Sequence, residues 1–213
     1  MREEEKIFAG QLFSPADPEL KAIKLRAHEL SLRYSTLMES EAALRDKVLD
    51  ELLPNKGTGV RVQGPIFFHY GIHTTIGNNF FANYNLTVQD DAKVTIGNNV
   101  MFGPNVTIVT PVHPMIASER RAMLNENGEK KGLCYARPVK IGNDVWVGAN
   151  AVICGGVTIG DGVVIGAGAV VVKDIPANSF AAGNPCRVIR PITDADREYW
   201  QKRRADYLSG IQG

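Results

Sequence analysis

Histidine and cysteine are scarce in this chain, with four and three among 213 residues. The cysteines, Cys134, Cys154 and Cys186, are odd in number and far apart. That spacing excludes a metal finger and points to a reducing compartment, the cytoplasm. Charge is equally restrained: 24 basic residues against 23 acidic leave a net charge of +1. Such a balance gives no electrostatic support to a dominant nucleic-acid or membrane-surface role. No apolar run is long enough to span a bilayer. The first residues, MREEEKIFAGQLF, are charged and then amphipathic, without the apolar core and cleavage site of a signal peptide. At 44% hydrophobic, the chain can form one sizeable core with appendages.

The chain is organised by a period of six. Over residues 139–173, Ile141, Val147, Ile153, Ile159, Ile165 and Val171 recur at every sixth position, and Val145, Ala151, Val157, Val163 and Ala169 stay in phase with them. Six fits neither a helix nor an alternating strand. It fits a solenoid whose six-residue units each form one face of a prism, three units to a coil. Both apolar series point inward, and stacking the coils buries a continuous column. A β-sandwich is the plainer reading, but its strands recur at about 8–12 residues and do not hold one phase over six units. Gly142, Gly148, Gly160 and Gly166 follow the inward residue, where room and a positive φ are expected to be needed.

Before the repeat, residues 1–58 read as a helical cap. A short helix from Glu3 ends at Gly10; a second starts with Asp17 as cap and Pro18 at its first position; a third runs from about Ser40 to Pro54. These helices are expected to shield the first coil. The β-helix spans 59–190. Its inward positions Ile76, Ala82, Val88, Ile96, Phe102 and Ile108 keep the period except between Val88 and Ile96, where two extra residues form a bulge holding Asp90 and Asp91. A solvated turn competes as a reading for Asp90 and less so for Asp91. The period fails again over 113–138, a loop projecting from one corner whose root is His113-Pro114 and whose charged middle, Glu119 to Lys131, reads as an exposed arm. The repeat is left at Pro176. Residues 191–213 are a final helix, capped by Thr193 or Asp194, and a tail; Tyr199, Trp200 and Tyr207 of that helix are expected to pack on the body or on a neighbouring subunit.

His28 falls in a helix and reads as structural or exposed, while His69 and His73 sit on the first coils. His113, held at the loop root, is placed to act as a general base, because imidazoles ionise at about 6.5 and are mostly neutral at pH 7. An ordinary loop histidine is the alternative.

The chain resembles the hexapeptide-repeat sugar O-acetyltransferases, the galactoside and maltose acetyltransferases. The resemblance rests on Asp17-Pro18-Glu19, NNFFANYNLTVQDDAKVTIGNNVMFGPNVTI, His113-Pro114, IGNDVWVGANAVI, IGDGVVIGAGAVVVKDIP and AAGNPCRVIR, and it runs from about Lys6 to Trp200. It implies a mainly β protein built on a left-handed parallel β-helix, a homotrimer with active sites between subunits, acetyl-CoA as donor and a sugar hydroxyl as acceptor, with no metal required. By this resemblance His113 is the catalytic base, acting in a ternary complex without a covalent enzyme intermediate. Asn83 and Asp91 contact the acceptor. His69 stands where a relative carries a small polar residue near the acceptor, and Asp17 is an acceptor contact or only a helix cap. Trp146, Gly148 and Ala149 lie near the acyl donor. Some members carry Ser in place of Ala149, so a backbone N–H is left to hold the oxyanion. Ala167 and Gly168 leave room for the pantetheine arm. Lys173, Arg187 and Arg190 face the phosphates of the donor or are plain surface charges. Rival readings are an acetyltransferase with a non-sugar acceptor, a γ-type carbonic anhydrase using His69, His73 and His113, and a non-catalytic scaffold.

Overall fold

The structure, a computed structural model, describes residues 1–124, 128 and 130–210. Residues 125–127 and 129 of the charged arm, and the last three of the tail, lie outside the described residues. The body is a parallel β-solenoid of triangular section. Its first face stacks Arg61–Val62, Phe81–Ala82, Met101–Phe102, Trp146–Val147, Val164–Ile165 and Ser179–Ala182, with Arg187–Pro191 closing the edge antiparallel. The second face stacks Ile66–Phe68, Leu86–Gln89, Thr107–Val109, Val152–Cys154 and Val170–Val171. The third stacks Thr74–Ile76, Val94–Ile96, Val139–Ile141 and Thr158–Ile159. In-register pairs such as Phe81 with Met101 and Met101 with Trp146 keep like positions in one column.

Every inward residue anticipated from the period is buried, from Ile76, Ala82 and Val88 to Ile153, Ile165 and Val171. The three outward surfaces differ. Thr75, Thr95, Lys140 and Thr158 on the third face are exposed, as suits a face in water. Phe81, Met101, Trp146, Val164 and Phe180 on the first face form an apolar column, with Met101 and Trp146 each 52% exposed.

The corners are built by two separate devices, which corrects the expectation for glycine. Positive φ is carried by Asn79, Asn99 and Asp144 at the third-to-first corner and by Asn85, Asn105 and Asn150 at the first-to-second corner, all between 57° and 62°. Asparagine and aspartate tolerate this region because their short polar side chains bond locally. Their amides also form ladders: Asn85 donates to Asn105 at 2.8 Å and Asn105 to Asn150 at 3.0 Å. The glycines after the inward residue serve close approach instead. A Cβ on Gly97 would lie 2.5 Å from the carbonyl oxygen of Gly142, and one on Gly148 would lie 2.6 Å from the amide nitrogen of Ala167.

Helix α1 (Glu3–Phe8), α2 (Pro18–Thr36) and α3 (Ala42–Leu52) precede the solenoid. Asp17 caps α2, its Oδ1 accepting from the amides of Glu19 at 3.0 Å and Leu20 at 3.1 Å. Leu30, Tyr34, Val48, Leu49, Leu52 and Leu53 join the main core and close its first coil. Coil pairing starts at Lys56, bridged to Ile76, slightly before the expected boundary at 59. At the other end the coil outlasts the six-residue period: Ile175 bridges Ile159, and Ser179–Ala182 still pairs in parallel with Val164–Ile165. Within the insertion are α4 (Ala117–Arg120) and an antiparallel pair, Met123–Leu124 with Lys130–Lys131. The last helix, α5 (Asp194–Gly210), has no buried residue. Tyr199, Trp200 and Tyr207 therefore each stay more than half exposed on their own chain.

Candidate active site

The second-to-third corner is the irregular one. Here the step from inward residue to inward residue is eight between Phe68 and Ile76 and again between Val88 and Ile96, and the long insertion follows Ile108. All three enlargements therefore stack at one edge of the prism. The chain leaves and rejoins the insertion through an antiparallel pair, Pro111–Val112 with Tyr135–Ala136, so its root is ordered. A second, smaller core covers this corner: Ile7 of α1, Phe13, Leu20 of α2, Tyr70, Ala92, Cys134 and Ala136. Phe13 and Cys134 bridge through both backbone bonds, 2.9 and 3.2 Å.

The polar groups of this corner fall into three sets. Asp90 is fully buried, which overturns the solvated-turn reading. Its carboxylate accepts from the Tyr70 amide and the Thr74 hydroxyl, each at 2.8 Å, and it shapes the bulge. Burial nonetheless pushes its carboxyl above the ordinary range. Asp91 is buried as well, and burial together with neighbouring Asp90 pushes its carboxyl up to about 6. Among the described residues neither Asp91 Oδ2 nor the Tyr70 hydroxyl has a hydrogen-bond partner. The Tyr70 hydroxyl is pushed well above the usual phenol range by burial and by Asp91. It therefore stays a proton donor.

The histidines do not converge. His73 is buried and stacked on Tyr70 at 4.7 Å; its Nδ1 donates to the carbonyls of Asp90 and Asp91 at 2.9 and 3.0 Å, and its Nε2 meets Glu4 at 3.2 Å. His69 pairs with His28, at 3.2 Å between His69 Nδ1 and His28 Nε2. His113 is exposed at the loop root and makes no side-chain hydrogen bond among the described residues. With His69 bonded to His28, His73 held by Asp90, Asp91 and Glu4, and His113 exposed, the three imidazoles do not form the tripod that a zinc lyase needs.

Asn83 stands apart from this cluster. It lies at the first-to-second corner, between Phe81–Ala82 and Leu86–Gln89, where its Oδ1 accepts from the Tyr84 amide at 2.9 Å. In the same column lie Gly103, then Gly148 and Ala149, then Ala167 and Gly168, linked by bonds such as Gly168 N–H to the Ala149 carbonyl at 2.8 Å. Ala167 and Gly168 are exposed, so from Gly148 onward this edge is a strip of small residues. Trp146 flanks it on the first face. A groove beside Trp146 is lined by Phe180, Arg190, Trp200 and Arg204. Lys173 and Arg187 are exposed. Arg190 is not free: both its terminal nitrogens donate to Asp196, at 2.7 and 2.8 Å. That pair holds the Asp196 carboxyl far below its ordinary range and ties α5 to the closing strand.

Residues 138–173 match the model for the bacterial transferase hexapeptide, six repeats, and residues 6–57 match the maltose acetyltransferase hexapeptide capping motif. The chain is 44% identical over 198 residues to the galactoside O-acetyltransferase of Escherichia coli strain K12, covering 93% of both chains. This chain belongs to the galactoside and maltose O-acetyltransferase family of hexapeptide-repeat proteins. A solved galactoside acetyltransferase in complex with coenzyme A superposes with a TM-score of 0.83 at 42% identity, covering 92% of this chain and 94% of that one. A maltose O-acetyltransferase from Clostridium difficile 630 gives 0.82 at 41% identity, with 91% and 98% covered.

For this acetyltransferase, the residues expected to meet the acceptor are split by the fold. Asp91, His69 and His113 share the irregular corner. Asp17, as the cap of α2, contributes charge near Tyr70. Asn83 shares its edge with Gly148, Ala149, Ala167 and Gly168, the residues expected on the donor side. Two groups went unrecognised from sequence. Tyr70, next to His69 in the chain, belongs to no motif of its own. His28 was read as structural or exposed, yet it is half-buried and bonded to His69. The available signal was its spacing of four from Lys24, which puts both on one stripe of α2.

Proposed function

We propose that the protein transfers the acetyl group of acetyl-CoA to a hydroxyl of a sugar by direct attack in a ternary complex. His113 is the general base. Its imidazole takes the hydroxyl proton as the oxygen attacks the thioester carbon, and returns it to the sulfur of the departing CoA. A backbone N–H of the strip at Gly148 and Ala149 holds the oxyanion, since Ala149 has no hydroxyl to offer. Ala167 and Gly168 give the pantetheine arm a path with no side chain in the way. Lys173 and Arg187 meet the phosphates. Arg190 joins them only by sharing its charge with Asp196.

One observation carries this reading: the catalytic corner and the small-residue strip lie on different edges of the prism. A single chain cannot close one site from both, so the site forms where the irregular corner of one copy meets the strip of the next. The exposed apolar column of the first face and the exposed aromatics of α5 support a closed cyclic assembly, a homotrimer. Asn83 then reaches the acceptor from the neighbouring copy, opposite Asp91 and His69. Much of the acceleration comes from holding two substrates together at that seam.

The test is His113→Ala, assayed by CoA release with acetyl-CoA and a panel of sugars. Turnover should fall about 10²–10⁴-fold with an unchanged melting temperature, because His113 is exposed. Near-native turnover in the folded variant overturns the mechanism. Wild-type activity on non-sugar alcohols, with none on any sugar, would replace the acceptor class and keep the chemistry.

A further inference from the structure

We propose that His28 is a positioning residue of the acceptor pocket: it holds His69 in one orientation and one tautomer, with the Nε2–H of His69 turned to the acceptor as a donor. The inference rests on the reading of His69 as an acceptor-side residue and goes beyond it by adding a group from a different element.

The geometry is specific. Helix α2 is capped by Asp17 and packs on Ile66–Phe68, and this sets His28 over the strand that leads into His69. The two rings are 5.2 Å apart between centroids, with 3.2 Å between His28 Nε2 and His69 Nδ1. Each ring is clamped on another side. His28 lies against Phe67 at 4.8 Å, and His69 stands edge-on to Tyr70 at 4.9 Å. Neither imidazole can swing away without giving up an aromatic contact.

A bond between two imidazole nitrogens needs one N–H and one lone pair, so it shares a single proton. Burial disfavours charge on both rings, and Lys24, one turn earlier on α2, disfavours it further; His69 is pushed down to about 4. Both are therefore neutral at working pH, and only two arrangements are open. The proposed arrangement is the one in which His28 is the donor. The proton of His28 then sits on Nε2 and is donated to His69 Nδ1. His69 must carry its own proton on Nε2. The group it meets on the acceptor is thus a lone-pair oxygen, such as a ring, glycosidic or hydroxyl oxygen. Asp91, which can accept from a hydroxyl, is the complementary partner in the same corner.

The experiment combines spectroscopy with kinetics. With four histidines in the chain, ¹⁵N-labelled imidazoles can be assigned one by one with single substitutions. His69 of the wild type is expected as the pure Nε2–H tautomer, and His28→Leu should turn it into a mixture. The same variant should raise the acceptor KM about five- to tenfold, the scale of one lost or misdirected hydrogen bond, with the KM for acetyl-CoA and the melting temperature little changed. His28→Gln, whose amide can still donate, should recover most of the loss. An Nδ1–H tautomer at His69, or unchanged acceptor KM in His28→Leu, overturns the proposal. His69→Ala separates the two levels. If it leaves the acceptor KM unchanged, the acceptor-side reading of His69 falls and takes the proposal with it. If it raises KM while His28→Leu does not, only the role of His28 falls.

Discussion

The first-to-second corner and the second-to-third corner are made from the same six-residue unit and have come to do opposite things. The first-to-second corner keeps the same spacing, six residues from Ala82 to Val88, from Phe102 to Ile108, from Val147 to Ile153 and from Ile165 to Val171. Asn85, Asn105 and Asn150 turn the chain at positive φ, and small residues let each coil rest on the next. Its regularity leaves a straight edge that is unobstructed from Gly148 to Gly168. The second-to-third corner is enlarged in each of the first three coils, and those additions bring in Tyr70, His73, Asp90, Asp91 and His113. A solenoid can afford this because each coil contacts only its neighbours, so an insertion at one corner leaves the stacking elsewhere intact. The long edge suits an extended ligand; the irregular edge suits a compact one that needs several directed polar groups.

The largest expected effect tests whether the two edges meet between copies. His113→Ala disables one edge, and Ala167→Trp obstructs the other. Each alone should lose about 10²-fold or more of its activity. If the copies close as the proposed trimer, subunits of the two variants refolded together should regain roughly a quarter of the wild-type rate, because each mixed trimer has one seam with both halves intact. No recovery in verified mixed oligomers would place both edges in one chain's own site.

A second effect sharpens the contrast in electrostatics. Asp91 ionises near the ordinary carboxylate value when unfolded and at about 6 when folded. Between those values the folded chain keeps a proton that the unfolded chain has released, so this contribution is full at the acid end and is lost as pH rises to about 6. His69 has the opposite sign. The unfolded imidazole protonates at about 6.5 and the folded one only at about 4, so stability falls as pH drops through that window. Asp91→Asn removes the first slope and leaves the second. Its melting temperature should therefore climb more steeply than that of the wild type between pH 4 and 6.5, and it should exceed the wild type at pH 7. Parallel curves would mean that Asp91 is not held neutral by its burial.

The smallest effect belongs to the regular edge. Asn105 sits at a φ of 59°, so Asn105→Ala should cost about 1–2 kcal/mol in thermal or urea unfolding. Asn105→Gly should cost less, since it loses the ladder amide but not the permitted backbone. Equal losses in both variants would assign the cost to the ladder rather than to φ.

Legibility from sequence followed the same division. The repeat, the inward series, the cap of α2 and the breaks at 89–93 and 113–138 could all be read from periodicity, because a stacked coil forces like residues into like positions. The second-to-third corner could be read only as a place where the period fails. Nothing local in Asp90 says that its carboxylate serves the Tyr70 amide and the Thr74 hydroxyl, and nothing in His28 says that it reaches His69, because those partners come from other coils and from α2. The glycines were misjudged for a related reason. Their need is set by the neighbouring coil, not by their own turn.

By itself the sequence determined the six-residue unit, the triangular coil, the helical cap and the family, because each is carried by residues close together in the chain. Only the tertiary structure decided which corner each side chain occupies. It buried Asp90 and Asp91, parted His69 from His73, paired His28 with His69, and set Asn83 on the edge of Gly148 and Ala167 rather than beside Asp91. Stacking does this: a coil advances along the axis while a corner repeats, so residues distant in sequence share an edge and residues close in sequence do not.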